Sequence, residues 1–201
     1  MRRKPRARYH HGDLRRALLQ EAARTIRDEG IDAVTLRAVG QRLGVSRTAL
    51  YRHFADKSAL LAAVAREGFQ TFRQELQDAW DQGGGGLNGF NAMGAAYHRF
   101  AVANPAHYRV MFGGFRDFCE RDPGLEADGA AAFTVLVDAL IALQRDGLVR
   151  LDEPRALAEF IWATVHGVAM LAIDGQLGPD PSAADALSRL ALDRLATGIT
   201  I

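Results

Sequence analysis

Residues 35–54 read TLRAVGQRLGVSRTALYRHF, and the rest of the chain is organised around them. Leu36, Val39 and Leu43 fall at i, i+3 and i+7, one apolar face of a short helix. Thr35 is an N-cap for it, its hydroxyl accepting an orphan backbone N–H of the first turn. Gly44 supplies the left-handed backbone that stops this helix, and Ser46 caps the next. Laid out at roughly 100° per residue, the second helix divides cleanly. Ala49, Leu50, His53 and Phe54 share one side; Arg47, Thr48, Tyr51 and Arg52 share the other. Two guanidiniums, a hydroxyl with a methyl and a phenol on a short helix suit a DNA major groove. Arginine binds guanine bidentately there, and the threonine methyl meets a thymine methyl.

The run T-L-R-x-V-x-x-x-L-G-V-S-x-x-x-L-Y-R-H-F, with Lys57 three residues on, resembles the operator-binding helix-turn-helix of the TetR family of transcriptional regulators. The motif resemblance covers roughly residues 1–65, and beyond them only the helical layout is similar. Gly40 stands where that family mostly carries alanine, and Leu43 is larger than its common residue. Glycine at 40 keeps a close helix–helix approach at the loss of about 1 kcal/mol of helix propensity. Neither departure touches the groove-facing set. The resemblance implies an all-α fold: a three-helix head joined by a long helix to a helical body that binds a small effector and dimerises. Trp162-x-x-x-His166-Gly167 resembles the tryptophan–histidine–glycine signature of one branch of such bodies. It also implies that the last two long helices pair with their symmetry mates.

Charge is divided along the chain as that layout requires. The formal net charge is only +1, yet residues 1–57 carry 14 Lys and Arg against 6 Asp and Glu, and residues 58–201 carry 11 against 18. A basic head on an acidic body is the distribution expected if only the head meets phosphates. The single cysteine, Cys119, excludes an internal disulfide and fits a reducing, cytoplasmic setting. It reads as a small, partly buried hydrophobe rather than a redox sensor. The basic start MRRKPRARYHHGDL has no apolar core behind it and is not a signal peptide. Residues 160–173 form an uncharged apolar run too short to span a bilayer, and read as a buried helix; no membrane partner is expected.

In order, residues 1–9 form a basic arm expected to reach phosphates or the minor groove. Residues 10–56 are the head. Its first helix is capped by Asp13, repeats Leu14, Leu18, Ala22 and Ile26, and ends at Gly30. His10 and His11 are adjacent and point apart, so no metal is expected there. Residues 57–201 are the body. It opens with a long helix to about Trp80, striped by Leu61, Val64, Gly68, Phe72, Leu76 and Ala79. Lys57 sits in the first turn of that helix, where an anion is favoured. Gly83 to Gly86 break it. Asn104-Pro105 ends the following helix, and an aromatic piece, 107–115, follows. An apolar helix covers 127–144, stopped by Gly147. Pro154 opens a helix to Leu177 that is apolar nearly all round, and Pro181 opens a last amphipathic helix to Leu195.

Arg47, Thr48 and Tyr51 are the candidate base readers. Thr35, His53 and Lys57 are candidates for the DNA backbone, with Ser46 and Arg52 completing the set. An effector pocket would be mostly apolar with few polar anchors. Its candidate lining is Phe69, Phe72, Met93, Tyr97, Phe100, Met111, Phe112, Phe115 and Trp162, with His98, His107 and His166 as anchors. An aromatic stripe at helical spacing is equally the signature of plain core. Enzyme motifs are missing: Gly83 to Gly86 lacks the lysine and serine of a phosphate loop, and no HExxH is present. No cofactor is expected. The expected function is a ligand-responsive repressor that binds a pseudo-palindromic double-stranded operator as a homodimer. The alternative is an effector-independent or architectural DNA-binding protein.

Overall fold

The computed structural model describes residues 11–113, 115–120, 122–178 and 180–200. They form α1 (His11–Glu29), α2 (Leu36–Arg42), α3 (Arg47–Tyr51), α4 (Lys57–Gln82) and α5 (Gly86–Ala103). The chain continues through α6 (Pro105–Gly113), α7 (Phe115–Cys119), α8 (Pro123–Arg145), α9 (Pro154–Ile173) and α10 (Pro181–Ile199). The basic arm, residues 1–9, lies outside the described residues. Among those described, the β structure is a single isolated bridge, Val149 to Thr200.

The head closes as its apolar spacing requires. Leu14, Leu18, Ala22 and Ile26 are all buried along α1, against Val34, Val39, Leu50 and Phe54. α1 already includes His11, so Asp13, expected at the N-cap, lies inside the helix. Both caps of the 35–54 stretch are formed. Ala38 N–H donates to Thr35 Oγ1 at 3.0 Å and Ala49 N–H to Ser46 Oγ at 3.3 Å. Gly44 takes φ +65° between the two helices. Gly40 is where α2 and α3 cross: a Cβ there would stand 2.3 Å from Leu50 Cδ1, inside any van der Waals contact. Arg42 bolts α2 to α1, donating to Thr25 Oγ1 at 2.7 Å and Glu29 Oε1 at 2.6 Å.

α4 is the centre of the molecule. Asp56 caps it, accepting from Ala59 N–H at 2.8 Å. It packs against α1 on the head side and α5, α6 and α8 on the body side. The sequence stripe is therefore too narrow: Leu60, Ala62, Ala63 and Ala65 are buried as well, because α4 is covered from several directions. Gly68 admits α6, since a Cβ there would meet Met111 Sδ at 2.6 Å. The glycine break turns the chain back on itself, with Gly86 already the first residue of α5.

Several boundaries move. α8 starts at Pro123, ahead of Ala127, because Asp122 caps it through Gly124 N–H at 3.0 Å. α9 stops at Ile173 rather than Leu177. Gly175 takes φ +69°, and its N–H and that of Gln176 bond to Ala172 and Leu171 carbonyls, the two bonds of a Schellman stop. α10 runs past Leu195 to Ile199, whose carbonyl accepts from Arg150 N–H at 2.9 Å.

α9 also departs from the expected buried helix. Leu157, Ala158, Ile161 and Ala169 are buried, but Phe160 is 60% exposed and Leu171 38%. At 20 residues it is long and apolar enough to cross a membrane by length and composition alone, a test that core helices of ordinary domains also pass. Arg155 and Glu159 on its first turns pair at 3.2 Å, and it packs on α5, α8 and α10. Cys119 is half-buried, and burial pushes its thiol up, away from a reactive thiolate.

Candidate DNA-binding face and ligand cavity

The 47–54 stretch divides along the line drawn from its sequence, although α3 itself ends at Tyr51, with Arg52 and His53 following in a turn ahead of Phe54. Leu50 and Phe54 are buried and Ala49 and His53 half-buried, whereas Arg47, Thr48, Tyr51 and Arg52 are exposed. Tyr51, 49% exposed, is a large side chain that the fold leaves in water. The Arg47 guanidinium carbon lies 5.4 Å from the Tyr51 ring centroid. That stacking, worth about 0.5–1 kcal/mol at an exposed site, pre-orders the guanidinium across the outer face. Thr35 and Ser46, both exposed, use their oxygens as caps and keep hydroxyl protons for donation outward. Lys57 opens α4 and donates to the Asp32 carbonyl at 3.4 Å, which ties α4 to the loop ahead of α2.

The body holds a half-open cavity of about 490 Å³ between α4, α5, α8 and α9, with Phe112 of α6 and Leu192 of α10 at its edges. Phe69, Phe72, Met93, Tyr97, Phe112 and Trp162 line it. Phe100 and Met111 do not: both are fully packed in the core, Met111 against α4 at Gly68. The Phe115 side chain lies outside the described residues. None of the three candidate histidine anchors lines the cavity. His98 pairs with Asp185 of α10 at 3.1 Å, and His107 packs at the α4–α6 crossing. His166 sits behind the wall, its ring stacked on Tyr108 with centroids 5.4 Å apart.

Sequence reasoning missed Phe90, Phe133, Leu136, Ile161 and Val165 as lining, together with the charged rim of Glu126, Arg155 and Glu159. Phe133 and Leu136 lie on the apolar helix α8, and apolar composition does not say whether a side chain meets core or void. Tyr108 was missed altogether as a polar group. It is fully buried and its hydroxyl lies 2.7 Å from His166 Nδ1 and 2.8 Å from the Tyr97 hydroxyl. Trp162 Nε1–H donates to the Tyr97 oxygen at 3.2 Å. Burial lowers His166 below the ordinary imidazole range and raises both phenols, so the cluster is neutral at pH 7.

Comparison with known proteins matches both halves. A model described as bacterial regulatory proteins of the tetR family covers residues 18–64. One described as a tetracyclin repressor-like C-terminal domain covers residues 90–195. The chain is 43% identical over 58 residues to the HTH-type transcriptional repressor Rv1474c of Mycobacterium tuberculosis, a match spanning 29% of this chain and 31% of that protein. It is 25% identical over 194 residues to the HTH-type transcriptional regulator Rv1816 of the same species, covering 81% and 82%. Among solved structures, a protein of unknown function from Rhodococcus sp. RHA1 shares 30% identity at a TM-score of 0.84, covering 98% of this chain and 100% of that one. The ketosteroid transcriptional regulator KstR2 of Mycobacterium tuberculosis, 21% identical with a TM-score of 0.71 over 98% and 97%, shares the fold. With its head and most of its body matched by the same family, the chain belongs to the TetR family of DNA-binding transcriptional regulators, and its work is regulatory rather than enzymatic.

Proposed function

We propose that this protein is a repressor that binds a pseudo-palindromic operator as a homodimer and is released by a small, mostly apolar effector. One observation carries the reading: α4 is continuous from Lys57, beside the recognition helix, to Phe69, Phe72 and Leu76 in the cavity wall. An occupant that shifts this wall tilts the helix on which the head stands. Release then follows from the effector's greater affinity for the arrangement whose two heads no longer match the groove spacing.

Arg47, Thr48 and Tyr51 read bases; Thr35, Ser46, Arg52, His53 and Lys57 hold the backbone. The arm, residues 1–9, adds phosphate contacts. Homodimerisation is supported by the apolar face of α9 and α10, where Phe160, Leu171 and Leu190 stand exposed. A Cβ at Gly167 would meet nothing within 4 Å, so a partner helix can approach closely there. Two recognition helices about 34 Å apart would enter successive major grooves. Anisotropy titration against the protein's own upstream DNA and a scrambled duplex, at two salt concentrations, tests this. Preference for the upstream site by about 10³ or more is expected of a specific regulator. Equal affinity for both, with one steep salt slope, would favour an architectural DNA-binding protein instead.

A further inference from the structure

The cavity wall contains a hydrogen-bond chain whose proton count restricts what can bind beside it. Three contacts link its four members: Trp162 to Tyr97 at 3.2 Å, Tyr97 to Tyr108 at 2.8 Å, and Tyr108 to His166 Nδ1 at 2.7 Å. The indole N–H can only donate, so Tyr97 accepts from it. With Nδ1 unprotonated, three protons serve three contacts: Trp162 gives to Tyr97, Tyr97 to Tyr108, and Tyr108 to Nδ1. A proton on Nδ1 would leave four for the same three contacts, so that one finds no acceptor among these four side chains. The approach of Tyr97 Oη to Nδ1 at 3.3 Å is then a longer contact between groups already engaged.

In this arrangement the spare capacity of the chain is lone pairs on the two phenol oxygens. Tyr108 is fully buried and does not line the cavity, while Tyr97 does. The charged lining groups stand apart from it at the rim, where the Arg155 side chain is 69% and that of Glu159 54% exposed. A charged ligand end would have to displace the Arg155–Glu159 pair or lie unpaired among the aromatic rings, where an ion is strongly disfavoured.

We infer that the effector buries an uncharged aromatic or alicyclic body bearing one hydrogen-bond donor, a hydroxyl or N–H, that donates to Tyr97. This rests on the reading of the cavity as the effector site. Equilibrium dialysis of the full-length protein at pH 7 tests it with four probes of one carbon skeleton: naphthalene, 1-naphthol, 1-methoxynaphthalene and 1-naphthoate. 1-Naphthol is expected to bind about tenfold tighter than naphthalene or the methoxy ether, the worth of one net hydrogen bond. 1-Naphthoate is expected to bind weakest. Tyr97→Phe should abolish the advantage of naphthol over naphthalene; the four-probe ranking on the unaltered chain stands even if that variant folds poorly. Equal binding of naphthol, ether and hydrocarbon would overturn the donor assignment while leaving the cavity an effector site. Tightest binding of the naphthoate would overturn the uncharged body. Failure of all four to bind would remove the cavity reading itself, and the inference with it.

Discussion

α3 and α9 both hold large side chains in water, and they teach opposite lessons. On α3 the exposed set is Arg47, Thr48, Tyr51 and Arg52; on α9 it includes Phe160 and Leu171. The first set is polar at its tips and stays soluble alone, so its exposure costs little and leaves a donor-rich face for phosphates and base edges. The second gains nothing from water and is stabilised only when something apolar covers it. α3 can remain bare until DNA arrives, whereas α9 asks for a partner from the moment the chain folds. The head and the body also differ inside. The head core is closed around Leu18 and Val39, while the body leaves about 490 Å³ unfilled. Filling density favours rigidity in the part that must fit a groove, and the void sits in the part that must respond.

The sharpest way to break this contrast is to open a void in the head. Leu18→Ala removes a side chain with no exposure from α1 and should cost about 2–5 kcal/mol. Urea unfolding would show it. A loss under about 1 kcal/mol would mean that the head core is looser than its packing implies. Next in size is Phe160→Asp on the exposed face of α9. The isolated fold should tolerate it, but a dimer seated on that face should lose about 2 kcal/mol or more. Sedimentation velocity at micromolar concentration would read the shift to monomer; an unmoved dimer would place the interface elsewhere.

Arg47→Ala on the exposed face of α3 should lower operator affinity by about 1–3 kcal/mol and relax preference at one base position. Equal weakening on every sequence would instead make Arg47 a phosphate contact. The smallest effect is with pH. Burial holds His166 and His107 below the ordinary imidazole range. The unfolded chain therefore takes up protons first as pH falls through about 6.5. Stability present above that pH is lost progressively below it. Calorimetry at pH 7.5 and 5.5 should show Tm falling by about 2–4 °C for each kcal/mol so lost. A Tm that holds or rises at pH 5.5 would mean that neither imidazole is kept neutral by the fold.

The amino-acid sequence by itself determined α2 and α3 of the head, both their N-caps and the division of residues 47–54 into a buried and a bare side. These depend on spacing and on neighbours a few residues away, such as Thr35 with Ala38 and Ser46 with Ala49. The sequence also offered Phe69, Phe72, Met93, Tyr97, Phe112 and Trp162 as candidate lining, but a face that meets core and one that meets a void have the same spacing. Only the tertiary structure decided that Phe100 and Met111 pack solid while Phe90 and Phe133 border the cavity. It alone joined Tyr97, Tyr108, Trp162 and His166, whose links bridge 11, 58 and 65 positions of chain. It alone made α4 buried on several sides and α9 bare along one. The reason is physical: capping and helical phase are local, whereas burial, voids and proton counts are properties of several helices meeting at once.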